Sequence, residues 1–267
     1  MLSERQLQIL ESAKRSGRVM VDELSARFEV SVQTIRKDLN ELCDARLLTR
    51  VHGGAILSSG VENVGYDARR VIAAEEKAAI GRAAADLIPN QASLFINIGT
   101  TTEAVAHQLL RHSGLMVITN NINVAIAMRP YPEVEVVIAG GVVRRSDGGI
   151  VGEAAVDFIR QFKVDFAVIG ASAIDLDGSL LDFDYREVRV AQAIIGNARH
   201  VILAADSSKF ERSAPVRIGH LDQVQTFVTD TAPPEIRAIC AAADVRLVEA
   251  GPPAGARNGA ATGEAVA

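Results

Sequence analysis

The chain has 267 residues, 48% of them apolar, with 28 Lys+Arg against 33 Asp+Glu and a net charge of −5. That length allows one large domain or two smaller ones. No run of 18 uncharged apolar residues occurs, which argues against a membrane-spanning helix, and the charged start "MLSERQLQIL" argues against a signal peptide.

Cys43 and Cys240 stand far apart, and neither has a Cys or His at metal-ligand spacing. The expectation is two reduced thiols in a cytoplasmic protein, with no disulfide and no zinc site. The charge is unevenly spread. Residues 1–57 carry 9 basic and 8 acidic side chains, and the remainder carries 19 and 25. An acidic larger part discourages loose association with DNA, so any DNA contact belongs to the small N-terminal part.

In chain order, "RQLQILESAKRSG" puts Leu7, Leu10 and Ala13 on one helical face, with Ile9 beside it and a stop at Gly17. "VDELSARF" puts Val21, Leu24, Ser25 and Phe28 on one face of a second helix. After the turn "EVS", the segment "VQTIRKDLNEL" aligns Val32, Ile35, Leu39 and Leu42 in one stripe, and Ser31 is placed to cap it. Two short helices joined by a tight turn predict a helix-turn-helix. In that motif the start of the second helix meets base edges. Ser31, Gln33, Thr34, Arg36 and Lys37 crowd that start, so they are the candidate DNA contacts. Gln33 suits adenine, and Arg36 or Lys37 suits guanine or phosphate. An ordinary solvated helix face is the plain alternative for these residues.

"LLTRVHGGAIL" predicts a β-hairpin wing with Arg50 and His52 near its tip. An exposed turn histidine and a ligand-free glycine turn fit that segment equally well. The expected DNA-binding domain is 1–57, and the small, polar stretch 58–66 reads as a linker.

Beyond it, apolar runs alternate with amphipathic ones. Strands are expected at "SLFINI", "LMVIT", "VEVVIA", "VDFAVIG", "HVILAAD", "VQTFVT" and "VRLVE", with helices such as "EEKAAIGRAAADLI", "TEAVAHQLL" and "EVRVAQAIIGNA" between them. This predicts an α/β domain over 67–250 with a mostly parallel, doubly wound sheet, whose ligands bind beyond the strand carboxyl ends. The small-residue, proline-bearing tail 251–267 is expected to be disordered.

Several of those ends are polar. "INIGTTTEA" runs through Gly99, Thr100, Thr101 and Thr102 into a helix whose N-terminus can hold an anion, although Thr101 or Thr102 serves equally well as a helix cap. Thr119, Asn120 and Asn121 end a second strand, Gly140 and Gly141 a third, and Asp206 and Lys209 a fourth. Lys77 lies in the helix before the first. Together they suggest a pocket for a small, hydroxylated anion. Neither a GxxxxGK loop nor a GxGxxG fingerprint is present, which argues against a nucleotide, and no cofactor is expected.

"VSVQTIRKDLNEL" followed by "RVHGGA" resembles the N-terminal signature of DeoR-type bacterial transcription regulators. The likeness runs from about residue 3 to 230. It implies a sensor similar to sugar-phosphate isomerases, with Lys77, Gly99, Thr100 and Thr101 at phosphate-holding positions. Glu187 falls where the isomerase keeps its catalytic base, Asp206 and Lys209 match a "D-x-S-K" segment, and Arg69 matches an arginine typical of the regulators. Asn97 departs from the aspartate usual before "GTT". "VIGASAI" departs from an acidic "DGAD" pair, and Ser172 cannot replace a carboxylate in proton transfer. The resemblance therefore implies a DNA-binding repressor and not an enzyme, the alternative being an isomerase with a fused DNA-binding module. "IGTTTEAVAHQLL", "VITNNINVA", "AGGVVRRSDGGIVGEA" and "DGSLLDFDYREVR" are most similar to family members answering to glycerol 3-phosphate. The implied partners are operator DNA, glycerol 3-phosphate as effector and further copies of the chain, as a dimer or tetramer, with no membrane.

Overall fold

Three main apolar cores organise the chain, one under the three N-terminal helices and one on each face of a parallel sheet. The computed structural model describes residues 2–16, 18–45, 47–51, 53–57 and 65–251. Gly17, His52, positions 58–64 of the expected linker and positions 252–267 of the expected tail lie outside the described residues.

The N-terminal part comprises α1 (Glu4–Ser16), β1 (Arg18–Met20), α2 (Val21–Phe28), α3 (Val32–Asp44), β2 (Leu48–Val51) and β3 (Gly54–Leu57). Ile9, Leu10, Ala13, Leu24, Ile35, Leu39 and Leu42 form its core. The wing is present, and β1, which the sequence did not announce, pairs antiparallel with β3. Leu7 is not on the core face as expected: it is 51% exposed, and the buried Ile9 and Gln6 sit inside instead. The physical reason is a rotation of α1 set by polar bonds to α3. Arg5 Nε donates to Asp38 Oδ2 at 2.6 Å, and Gln6 Nε2 donates to Glu41 at 2.6 Å.

The short helix α4 (Tyr66–Val71) touches both parts. Its Ala68 and the following Ile72 pack on the N-terminal core, and its Tyr66 and Arg69 bond to the second part.

The second part continues through α5 (Ala74–Ala85), β4 (Ser93–Ile96), α6 (Thr100–Leu109), β5 (Leu115–Thr119), α7 (Ile122–Met128), β6 (Val134–Ile138), β7 (Val142–Val143), β8 (Ile150–Val151) and α8 (Glu153–Ile159). It is completed by β9 (Val164–Ile169), β10 (Ala173–Ile174), β11 (Ser179–Asp182), α9 (Tyr185–Gly196), β12 (Ala198–Ala204), β13 (Val216–His220), β14 (Thr226–Thr229), α10 (Pro234–Ala242) and β15 (Arg246–Glu249). The seven strands expected from apolar runs are the seven strands of one sheet, in the order β15-β14-β12-β9-β4-β5-β6. Every pairing in it is parallel.

Alternate residues serve opposite faces. Phe95, Ala167, Leu203 and Phe227 enter one core, and Leu94, Val168, Ile202 and Val228 enter the other. A sheet covered on both sides has nearly continuous apolar strands, which is why those strands were legible. The β7–β8 hairpin and β10 were not, because two-residue strands carry no periodicity, and neither were β11 and β13, which pair in a separate antiparallel sheet. The strand order reverses between β4 and β9, with β5 and β6 added on one side and β12, β14 and β15 on the other, and such a switch point is where parallel sheets place ligands.

Candidate functional site

At the N-terminal part, Ser31 caps α3: its Oγ accepts from Thr34 N at 3.1 Å and contacts the Thr34 hydroxyl at 2.9 Å. Gln33, Arg36 and Lys37 are exposed along the first turns, and Arg50 is exposed on β2. Lys37 lies 4.0 Å from Glu41, an exposed pair of little energetic weight. Thr34 is half-buried, with its hydroxyl engaged by Ser31, so it reads as part of the cap more than as a base contact. Sequence reading missed the buried Asp38, which fixes the orientation of α3 against α1. A lone acid among apolar stripe residues was its signal.

In the sheet domain, the buried Lys77 and Lys209 act on the buried carboxylate of Asp206, which follows β12. Lys77 is 4% exposed, Lys209 7% and Asp206 1%, and Arg69 and Arg212 act on the same group of charges. Burial drives the Lys209 ammonium down to about 7, opposed by Asp206 and reinforced by Arg212, Lys77 and Arg69. Lys77 is lowered for the same reason, burial first. Burial works against ionisation of Asp206, yet Lys209 and Lys77 hold its carboxyl below the usual range. Two buried ammonium groups acting on one carboxylate favour an anionic ligand.

A second cluster adjoins it. Arg144 holds Asp147 at 2.7 Å, Glu187 at 2.5 Å and Asp184 at 3.3 Å, and Arg69 meets Asp147 at 3.2 Å. Burial, with Asp182 next, pushes the Glu187 carboxyl up to about 8 against the pull of Arg144. Ser172 Oγ donates to Asp182 Oδ2 at 2.8 Å, so β11 sets a carboxylate beside the position where the sequence lacks one. Three buried acceptors, Asn97 Oδ1, Asn120 Oδ1 and Asp206 Oδ2, have no hydrogen-bond partner among the described residues. They are suited to ligand hydroxyl donors.

The expected contacts are not all alike. Lys77, Asp206 and Lys209 come together with Arg69, and Glu187 lies in the adjoining carboxylate cluster. Gly99, at φ 149°, caps α6, where an added Cβ would sit 3.2 Å from Thr102 Oγ1. Thr100 and Thr101 follow in the first turn of α6, half-buried and buried. Thr102 donates its hydroxyl to Asn97 O at 2.7 Å, and Thr119 donates its own to Ile96 O at 2.7 Å. Asn121 caps α7 through Asn123 N and donates to Glu103. These three side chains are therefore committed to the fold, because buried hydroxyls and amides must first satisfy neighbouring backbone. Gly140 and Gly141 are exposed past β6, the edge strand.

Arg212, Arg144, Asp147 and Asp182 were missed. The charge-dense strings "RRSDGG" and "DFDYRE" were the available signal for Arg144, Asp147 and Asp182, and "KFER", next to the expected Lys209, was that for Arg212.

Comparison with known proteins follows the same division. The DeoR-like helix-turn-helix domain matches residues 5–60, and the DeoR C-terminal sensor domain matches residues 72–231. The chain is 50% identical to the glycerol-3-phosphate regulon repressor of Escherichia coli (strain K12), covering 87% of this chain and 92% of that protein. It is 49% identical to the repressor of the same name from Haemophilus influenzae, over 86% and 90%. The HTH-type transcriptional repressor CsqR of Escherichia coli (strain K12) is 41% identical over 85% and 87%. Ribose 5-phosphate isomerase A from Methanocaldococcus jannaschii, at TM-score 0.39, 14% identity and coverage of 52% and 55%, is too distant to bear on function. With both family domains matched in order and nearly whole-length relatives at half identity, the chain belongs to the DeoR family of helix-turn-helix regulators.

Proposed function

We propose that the protein is a DNA-binding repressor of a glycerol-3-phosphate regulon whose grip on operator DNA is relieved by glycerol 3-phosphate. The observation that carries the effector reading is the buried pair of ammonium groups of Lys77 and Lys209 acting on Asp206, with the charges of Arg69 and Arg212 acting on the same lysines. A phosphate suits these buried ammonium groups, and the acceptors on Asn97, Asn120 and Asp206 suit glycerol hydroxyls. The names of the similar repressors support the same ligand. The chain is a regulator and not an isomerase with a DNA-binding module: its curated relatives are repressors.

The reader acts on operator DNA through Gln33, Arg36 and Lys37, with Arg50 on the wing. Pairs of readers suit two-fold operators, so the active species is a dimer or higher. The edge strand β6, with Ile138 exposed, and the adjacent exposed Val142 and Val143 give a second copy an apolar surface to cover. Among the described residues no helix is long and apolar enough to cross a membrane, in keeping with action on DNA.

The test is a gel shift on DNA upstream of the protein's own gene, with and without glycerol 3-phosphate, beside calorimetry with glycerol 3-phosphate, glycerol and fructose 6-phosphate. Release of DNA by glycerol 3-phosphate alone is expected. Equal binding of glycerol overturns the phosphate cradle, and preference for fructose 6-phosphate overturns the choice of effector. Sedimentation as a monomer, free and on DNA, overturns the oligomer.

A further inference from the structure

Lys77 has two allegiances. Its charge belongs to the cationic group around Asp206. Its Nζ, however, donates to two backbone carbonyls at the end of α4, that of Ile72 at 2.6 Å and that of Arg69. The last carbonyls of a helix lack intrahelical donors, so a buried ammonium there fixes the helix end. Ile72 is the telling residue: its carbonyl holds Lys77 while its side chain packs on the core of the DNA-binding part. The next residue, Ala73, has φ 52° and ψ 41°, a left-handed conformation unusual for alanine. Strain of that kind persists only where surrounding contacts impose it. A cavity of about 460 Å³, lined in part by Tyr66, Lys77, Thr100 and Glu103, lies beside the same helix and leaves it loosely covered on that side.

We propose that Lys77 is the relay between the two parts: without ligand it clamps the C-terminal carbonyls of α4, and a bound phosphate draws it off them. This rests on the reading that the cationic group takes a phosphorylated effector. Arg69 strengthens the effect, because its carbonyl is a Lys77 acceptor and its guanidinium, held by Asp147 at 3.2 Å, acts on the charge of Lys77. The ammonium has three N–H donors, two of them on the carbonyls, and because the charged phosphate makes the stronger bond, the ammonium shifts toward it at the expense of the two carbonyl bonds. Once released, α4 no longer holds Ile72 and Ala68 firmly against the DNA-binding part, and paired readers lose their spacing. The ligand thus has a differential contact in the two states, which any such coupling requires.

The experiment uses the full chain and two readouts, operator affinity and amide hydrogen exchange over residues 66–72. Lys77→Met, without any ligand, is expected to speed exchange in that segment and to lower operator affinity roughly 5–150-fold, an ordinary coupling range. Exchange in β4 and β9 should stay as in the unmodified protein. Lys77→Arg, which can still donate to carbonyls, should retain operator affinity. Unmodified protein saturated with glycerol 3-phosphate, with saturation shown by calorimetry, should also exchange faster over 66–72. The relay is overturned if Lys77→Met leaves segment exchange and operator affinity unchanged, or if the saturated protein shows unchanged or slower exchange there. Absence of glycerol 3-phosphate binding overturns the effector reading separately, and the ligand-free Met variant then decides the relay. If that variant also opens β4 and β9, the saturated unmodified protein decides it.

Discussion

The start of α3 and the cluster around Asp206 solve opposite problems with similar side chains. On α3, Gln33, Arg36 and Lys37 stand in solvent, each placed by its own helix, and one local cap, Ser31 to Thr34 N, fixes the entry. Around Asp206, charged side chains from well-separated segments are buried together, and Lys77, Lys209 and Asp206 act on one another's ionisation. An exposed reader can be altered one residue at a time with little effect on folding. A buried cluster cannot, because removal of one member strands its partners in a poorly solvated place. The lesson is that the same arginine is cheap to hold at the first site and conditional at the second.

The largest break in that contrast is expected from Asp147→Ala. It leaves Arg69 and Arg144, both mostly buried, without the carboxylate they share. Removing one partner of a buried pair costs about 3–5 kcal/mol, and urea denaturation should show a loss of that order. A loss typical of an exposed pair would mean that the cluster is better hydrated than its burial indicates. Next is Arg212→Ala, expected to weaken glycerol 3-phosphate binding by about 1.5–3 kcal/mol if the guanidinium meets the phosphate. Calorimetry measures it, and operator affinity without effector should not change.

Arg36→Ala tests the exposed side. Loss of a bidentate base contact costs about 1–3 kcal/mol on operator DNA, with little change on random DNA. Equal loss on both assigns Arg36 to phosphate. Comparable in size is a pH effect. Lys209, brought down to about 7 by burial, is largely uncharged above that pH in the free protein, facing Asp206, Arg212, Lys77 and Arg69. A bound phosphate restores its proton, so binding takes up a proton and affinity falls as pH rises above 7, by up to about tenfold per unit. The phosphate's own second ionisation, near pH 6, is complete by then and does not mask the trend. Calorimetry between pH 6.5 and 9, values on the order of these ionisations, should show the slope, and Lys209→Met should flatten it. The smallest effect is Ser31→Ala. Loss of the α3 cap costs about 1 kcal/mol and should appear as a modest fall in thermal stability.

The sequence alone determined what local periodicity and short-range bonds encode. Helices α2 and α3, the Ser31 cap, the wing and all seven strands of the parallel sheet were legible, because apolar stripes and runs record burial directly. It also indicated which strand ends would be polar. Tertiary structure alone decided which of those polar residues are spent on the fold and which keep an unpartnered acceptor. Thr102, Thr119 and Asn121 turned inward to backbone and neighbouring side chains, while Asn97, Asn120 and Asp206 kept buried acceptors. Arg212 and Arg144 reached the site from segments that no spacing rule connects to it. Only the fold brought Lys77 Nζ onto the carbonyls of Arg69 and Ile72. A buried charge finds its partners through the packing of distant elements, and one-dimensional spacing holds no record of that distance.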